Sequence, residues 1–288
     1  MAGRSIEDIL RQQEAQRQAE IQRQQAQERA INEQRERQRQ DYLERMRMYE
    51  AQSIFSAASA AAGAGGHISE PEVFVDNSSS GTIIFNGIQN VNTGSWIKAP
   101  KETVSNWLPG TDDFTIEWFQ YQTAVGHPRI FSLGVDTGAT IGVSIEANKV
   151  YLWPGGNNWA IGTTYSSTWI HVALVRTGGT SSCYINGNPV GTKQAFTQDV
   201  TTAVKDLYIG SDHATPGDWF EGKITNFRWT NSTVYTGTFS RPTSALGVLA
   251  QTKLLMLGGN ETNPVVDSTG INTLVNFNTT WSSDTPFV

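Results

Sequence analysis

The chain has 288 residues, 38% apolar and 17% charged, with a formal net charge of −6 and one cysteine. A single Cys, Cys183, excludes an internal disulfide framework and any multi-cysteine zinc site, and four His residues leave little for a His-rich metal centre. There is no apolar run long enough for an ordinary membrane helix, and a pI near 5.3 argues against nucleic-acid binding by bulk charge. The N-terminus turns acidic at Glu7-Asp8 before any apolar stretch, so no signal peptide is expected.

The composition is sharply divided. Residues 1–52 hold 10 of the 21 basic residues, all Arg, and 10 of the 27 acidic ones, together with 12 Gln, one Gly and no Pro or Trp. The remainder carries 11 basic and 17 acidic residues, so the whole −6 lies there, with all ten Pro and all nine Trp. This predicts two different physical objects.

The first is a long charged α-helix over residues 1–62. Ser5 is placed to cap it, with Glu7 and Asp8 in the first turn. Gln, Glu, Arg and Ala lose little rotamer freedom in a helix. Opposite charges fall one turn apart at Glu7/Arg11, Glu33/Arg37 and Asp41/Arg45. A helix of about 55 residues is roughly 80 Å long. Its apolar residues are few. Leu10, Ile21, Leu43 and Ile54 lie on an eleven-residue lattice whose missing point is Asn32, with Ile31 beside it. That period makes a nearly straight stripe. Such a rod buries too little to be a domain, so docking onto copies of itself or onto another protein is expected through Leu10, Ile21, Ile31, Leu43 and Ile54. Residues 63–72 read as a Gly-rich linker.

From residue 73 to 288 short β-rich runs alternate with turn signals. The runs are Thr82–Phe85, Phe114–Tyr121, Arg129–Leu133, Thr140–Glu146, Lys149–Trp153, Trp169–Arg176, Ser182–Ile185, Pro189-Val190, Asp206–Ile209, Gly222–Trp229, Lys253–Leu257 and Leu274–Phe277. Asn186-Gly187 is a strong hairpin turn, since both residues tolerate positive φ. No long helix interrupts the series, so the fold class is mostly β, a two-sheet sandwich preceded by the N-terminal helix.

The blocks Phe114–Tyr121, Trp169–Arg176, Cys183–Gly187, Leu207–Gly210 and Phe220–Arg228, in that order and spacing, resemble a laminin G-like, concanavalin-like jelly roll. The later blocks Val234–Thr243, Leu254–Leu257, Asp267–Gly270 and Pro286-Phe287 resemble the version found in virion proteins of tailed bacteriophages, cyanophages among them. The resemblance implies a sandwich used for binding sugars or for packing into an assembly. It implies a structural virion protein, tail-associated and fibre-like, whose helix attaches to portal, tail or capsid proteins and whose jelly roll is presented for assembly or host-surface contact. A trimer or a symmetric ring follows from such docking, as does assembly in the bacterial host cytoplasm into the virion. Alternatives are a capsid decoration or head-fibre protein, or a free carbohydrate-binding lectin.

Catalysis is not expected. Glycoside hydrolases of related fold need two facing carboxylates, whereas Glu117 is alone on its run and Glu146 has no acidic neighbour at two or four residues. No Gly-x-Ser-x-Gly elbow occurs. His171 and Cys183 sit within hydrophobic runs and read as structural. Laminin G modules can hold calcium at one rim, and Asp136, Asp212 and Asp218 are the weak candidates here, though their spacing matches no known loop. The expectation is no metal and no cofactor. The better lead is aromatic. Trp153, Asn157, Asn158 and Trp159 lie in one Gly-rich loop, and Asp212, His213, Asp218 and Trp219 in a second. Indole rings stack on sugar faces while amides and carboxylates meet hydroxyls, so these eight residues are the candidate glycan contacts, with rings folded back over the sandwich ends as the alternative.

Overall fold

The computed structural model describes residues 81–86, 94–123, 128–133, 141–146, 149–153, 156–160, 167–201, 205–212 and 219–287, together with Glu14, Arg17, Gln18 and Gln22. The chain divides into two compact units, Met1–Gly65 and Gly66–Val288. In the first unit the four described residues are helical and exposed. The docking residues Leu10, Ile21, Ile31, Leu43 and Ile54 lie outside the described residues, as does most of the expected helix and linker.

The second unit is a β-sandwich. Its described strands are β1 (Thr82–Phe85), β2 (Trp96–Ala99), β3 (Phe114–Gln122), β4 (Arg129–Leu133), β5 (Ile141–Glu146), β6 (Lys149–Trp153), β7 (Asn157–Ala160), β8 (Trp169–Thr177), β9 (Thr180–Ile185), β10 (Asn188–Ala195), β11 (Leu207–Ile209), β12 (Gly222–Thr230), β13 (Thr252–Gly258), β14 (Val265–Asp267), β15 (Val275–Phe277) and β16 (Thr280–Ser282). The larger sheet runs β10-β9-β8-β3-β12-β1-β16, with β13 and β14 branching from β12, and the smaller runs β15-β2-β11-β4-β5-β6-β7. Every pairing is antiparallel. One helical turn, Lys101–Val104, follows β2.

Alternation along the strands decides which side chains are inside. Ile116, Trp118, Val172, Leu174, Phe227 and Trp229 of the large sheet meet Ile97, Phe131, Leu133, Val143, Leu152 and Ile209 of the small one in a single buried core. Arg176 ends this core. Its guanidinium lies 4.6 Å from the Phe114 ring centre and donates to the Gly110, Asp112 and Gln198 carbonyls, fastening two loops together.

One seam between the sheets is closed by side chains of β7. Asn157 donates from Nδ2 to Ser181 Oγ at 2.9 Å and to the Ala195 carbonyl at 2.8 Å. Trp159 lies in the core and donates from Nε1 to the Thr192 carbonyl at 3.0 Å. The register of β10 shifts between Val190 and Gln194, next to where the indole sits.

The outer face of the large sheet is also buried. Residues 231–249 cross it as a strap. Tyr235 and Phe239 stack on each other at 3.6 Å and pack over Ala173, Val175 and Tyr184, while Leu246 and Val248 join Phe119, Leu255 and Leu257. Gly187, at φ +81°, lets the Phe239 backbone approach closely, and the Phe239 amide donates to the Gly187 carbonyl at 2.9 Å.

Candidate functional site: an aromatic face on the small sheet

Two places carry chemistry, and they lie on opposite sides of the sandwich. The first is under the strap. Glu117 on β3 is fully buried and accepts from Arg228 Nε at 2.9 Å and Nη2 at 2.6 Å on Oε1. Its Oε2 meets Tyr235 Oη at 2.8 Å and His171 Nε2 at 3.0 Å. Burial alone would raise this carboxyl; the Arg228 charge and the His171 hydrogen bond outweigh it and bring Glu117 down to about 2. The group is a committed anion with four donors and no access for a substrate. It serves the fold: Arg228 Nη1 donates to the Gly247 carbonyl at 2.8 Å, tying the strap to the sheet. His171 is part of this internal cluster, with its ring 4.8 Å from that of Phe119. Sequence reasoning missed the cluster because its members come from positions 117, 171, 228 and 235, and no local pattern links them.

The second place is the outer face of the small sheet. Strand register arranges its side chains in two rows that cross the strands. One row is Val275, Lys98, Tyr208, Ser132, Gly142 and Trp153. The neighbouring row contains Phe277 and Trp96 at one end and Ser144, Tyr151 and Asn158 at the other. Large rings therefore stand half-exposed at both ends, while the small residues between them, Ser132, Gly142 and Ser144, are buried. At the β6 end, Tyr151 and Trp153 are half-exposed and parallel, 6.0 Å apart with 14° between planes. Trp153 Nε1 donates to Ser144 Oγ at 3.2 Å, and Ser144 in turn donates to Glu146 Oε1 at 2.7 Å. This chain fixes the indole and leaves a carboxylate beside it. At the β2 end, Trp96 stacks on Phe277 at 4.5 Å and meets Trp219 at 5.2 Å. Lys98 pairs with Asp206 at 3.6 Å, close to Tyr208.

The expected contacts divide accordingly. Trp153 lies on this face and Asn158 is half-buried beside it. Trp219 packs at the opposite end of the same face, so the two predicted loops contribute to separate platforms. Trp159 and Asn157 correct the sequence reading. They belong to β7, not to a loop, and are buried at 1% and 7% exposure because they face inward and close the seam. Asp212 is likewise buried, at 4% exposure, and is not offered on a loop surface. His213, Asp218 and Asp136 lie outside the described residues. Among the described residues no three His, Cys, Asp or Glu side chains gather to hold a metal ion, and no helix is long and apolar enough to cross a membrane. Sequence reasoning also missed Trp96, Tyr151, Tyr208 and Phe277. Polar–aromatic alternation in Lys149–Trp153 was the available signal for Tyr151.

The β unit is an antiparallel jelly-roll sandwich with one face strapped and rings half-exposed at the ends of the other. The chain belongs to the concanavalin A-like lectin/glucanases superfamily, whose laminin G-type family model matches residues 91–236. A candidate carbohydrate-binding protein from Bacteroides ovatus aligns with a TM-score of 0.55 and 18% identity over 73% of this chain and 62% of that one, so the chain spans less than two thirds of its length. A heptameric SAP-like pentraxin from Limulus polyphemus aligns at 0.44 and 14% identity, covering 69% and 94% of the two chains. The CBM40 module of a Ruminococcus gnavus sialidase, solved with α2,3-sialyllactose, aligns at 0.38 and 16% identity over 54% and 92%. These likenesses are of fold alone. No curated protein matches the chain.

Proposed function

We propose that the chain is a non-catalytic structural protein of a tailed-bacteriophage virion, tail-associated, that presents its jelly roll to host-surface glycans. The observation that carries the glycan contact is the pair of aromatic platforms on the outer face of the small sheet, Tyr151/Trp153 at one end and Trp96/Phe277 at the other. Indole and phenol rings offer apolar faces to sugar rings, and the half-buried Glu146, Asn158 and Asp206 place polar groups beside them. Glu117 supports a binding role over hydrolysis, because its carboxylate is consumed by Arg228, His171 and Tyr235. The virion placement rests on the phage-like blocks at 234–243, 254–257 and 267–270 and on the division between a balanced Arg/Glu/Gln segment and an acidic β unit. In this reading the N-terminal segment forms the long helix, attaches the subunit to portal, tail or capsid proteins, and sets a trimer or ring. The net charge of −6 keeps projecting copies apart.

Two measurements test this. The full chain on a glycan array binds at least one host-surface polysaccharide, and Trp153→Ala abolishes the signal; a silent array refutes glycan contact. Mass spectrometry of purified particles of the encoding phage finds the chain in stoichiometric amount with tail proteins. Its presence with capsid proteins alone turns the assignment to head decoration. Its absence from particles, combined with a positive array, leaves a free lectin, the second reading favoured by the same aromatic face.

A further inference from the structure

The two platforms belong to one sheet face but share no floor. Strands β2 and β6 are four steps apart, in the order β2-β11-β4-β5-β6. At ~4.8 Å per step the backbones beneath the platforms are about 19 Å apart. Between them all of β4 is buried, and so is β5 from Ile141 to Ile145. Arg129, Ser132 and Ser144 are closed off there together with Gly142, so nothing laid on one platform reaches the other along the surface. The indole N–H groups at both ends are turned away from solvent. Trp153 donates its Nε1 hydrogen to the fully buried Ser144. The Nε1 atoms of Trp96 and Trp219 are buried as well. Each end therefore offers ring surface and few directed donors. Glu146 and Asn158 lie half-buried beside Tyr151 and Trp153, and Tyr208 and Asp206 lie half-buried toward the Trp96 end.

We propose that the platforms are two independent sites, each for one or two sugar units, and that one chain holds a glycan-coated surface by engaging two such units at once. The proposal rests on the glycan-binding reading above and names the form of the ligand: separate chain ends or branches, not one continuous strand lying along the sheet. Stacking with few directed hydrogen bonds binds weakly at a single site. Two sites fixed on one rigid sheet make the second contact intramolecular, and overall affinity then exceeds that of either site by roughly 10²- to 10⁴-fold. Retention on an array or a cell surface accordingly needs both platforms, and removal of Trp153 alone silences it while the other site still binds in solution.

The test uses the full chain. Cellobiose, maltose, mannobiose, xylobiose and lactose are titrated while proton–nitrogen spectra follow the indole N–H signals. The best disaccharide should move two separate sets of signals with two dissociation constants, and Trp153→Ala should erase one set and leave the other. Two copies of that disaccharide are then joined by flexible spacers of graded length. Affinity should match the single disaccharide while the spacer is too short for about 19 Å, and should rise at least tenfold once it spans that distance. The gain should vanish in Trp153→Ala and in Trp96→Ala, and a one-to-one mixture of the two variants should not restore it. Thermal midpoints separate lost binding from lost folding, and Tyr208→Ala replaces Trp96→Ala where truncation of the stacked indole unfolds the chain. A single set of shifted signals, a spacer series without a step, or a gain that persists in either folded variant overturns the two-site proposal and leaves glycan binding intact. Polysaccharide binding with every disaccharide silent does the same. Silence toward disaccharides and polysaccharides alike overturns both.

Discussion

Replacing Arg228 with Met tests the strap and its charge cluster together. The methionine keeps most of the apolar stem but removes three donors: Nε and Nη2 to Glu117 at 2.9 and 2.6 Å, and Nη1 to the Gly247 carbonyl at 2.8 Å. Glu117 stays fully buried with its charge uncompensated. Breaking one side of a buried ion pair costs about 3–5 kcal/mol, and the released Gly247 carbonyl adds about 1 kcal/mol. Glu117→Gln alone leaves the guanidinium stranded and is destabilising for the mirror-image reason. The double variant removes both charges, so its loss should fall short of the two singles combined by about 2 kcal/mol or more. Urea unfolding followed by tryptophan fluorescence reads this out, because all nine Trp lie between positions 96 and 281, within the β unit. Acid adds a second reading. The Glu117 carboxyl titrates at about 2 in the folded chain against an ordinary 4.5. Its contribution is therefore complete above about pH 4.5, is lost as the pH falls toward 2, and is worth about 3 kcal/mol at neutrality. In Arg228→Met the carboxyl titrates higher, and acid unfolding starts at higher pH. Losses that add within about 0.5 kcal/mol, or an acid limb unchanged in the variant, would refute the coupling.

Three further outcomes follow from the same contacts. Trp159→Ala should cost about 3–5 kcal/mol in urea unfolding by emptying a buried indole site, while Trp153→Ala costs under about 1.5 kcal/mol and removes glycan binding, so the two Trp of one sequence loop separate in opposite directions. Gly187→Ala combines a left-handed backbone with a Cβ only 1.9 Å from the Phe239 carbonyl oxygen, so limited proteolysis should show faster cleavage within 231–245 than in the parent chain. Cys183 is buried in the core and burial pushes its thiol well above its ordinary value, so thiol reagents should modify it only at the rate of global unfolding; rapid native-state labelling would contradict the packing.

Most long strands were legible because their side chains alternate or run continuously apolar. Thr82–Phe85, Arg129–Leu133 and Lys149–Trp153 match the structure end to end, and the Asn186-Gly187 turn joins β9 to β10. What the sequence hid depends on distant partners. Strand β7 reads as a loop because Pro154, Gly155 and Gly156 precede two Asn residues. It is extended because Tyr151 and Val150 pair with Asn158 and Trp159, and Asn157 bonds across the seam. Strands β14 and β16 have three residues each, too short for any period to register. The candidate site was half legible. Trp153 and Trp219 were found as loop aromatics, but burial of Trp159 follows from the register of β7 on β6, and the second platform joins Trp96 to Phe277, 181 positions apart. No spacing rule reaches that far.

The two outer faces of the sandwich differ in what covers them. Both carry a mixture of rings and charges, and a sandwich of this size gains stability by covering either. The large sheet is covered by its own chain, and covering it required neutralising Glu117 and Arg228 against each other, because an unpaired charge under the strap would have cost more than the strap's apolar contacts return. Once sealed, that face is committed to folding. The small sheet shows the reverse arrangement at its two ends, while β4 and most of β5 between them are buried. Trp96, Tyr208, Tyr151 and Trp153 stay half-exposed although each has a large apolar area, and their neighbours carry hydroxyl, amide and paired ionic groups that tolerate both water and a hydroxylated ligand. Exposed rings of that kind are a standing loss of folding energy unless something else covers them, and the indole–serine–carboxylate chain at Trp153 restrains the ring in the absence of a partner. In the proposed glycan-binding role, a ring held in this way would lower the ordering cost of binding.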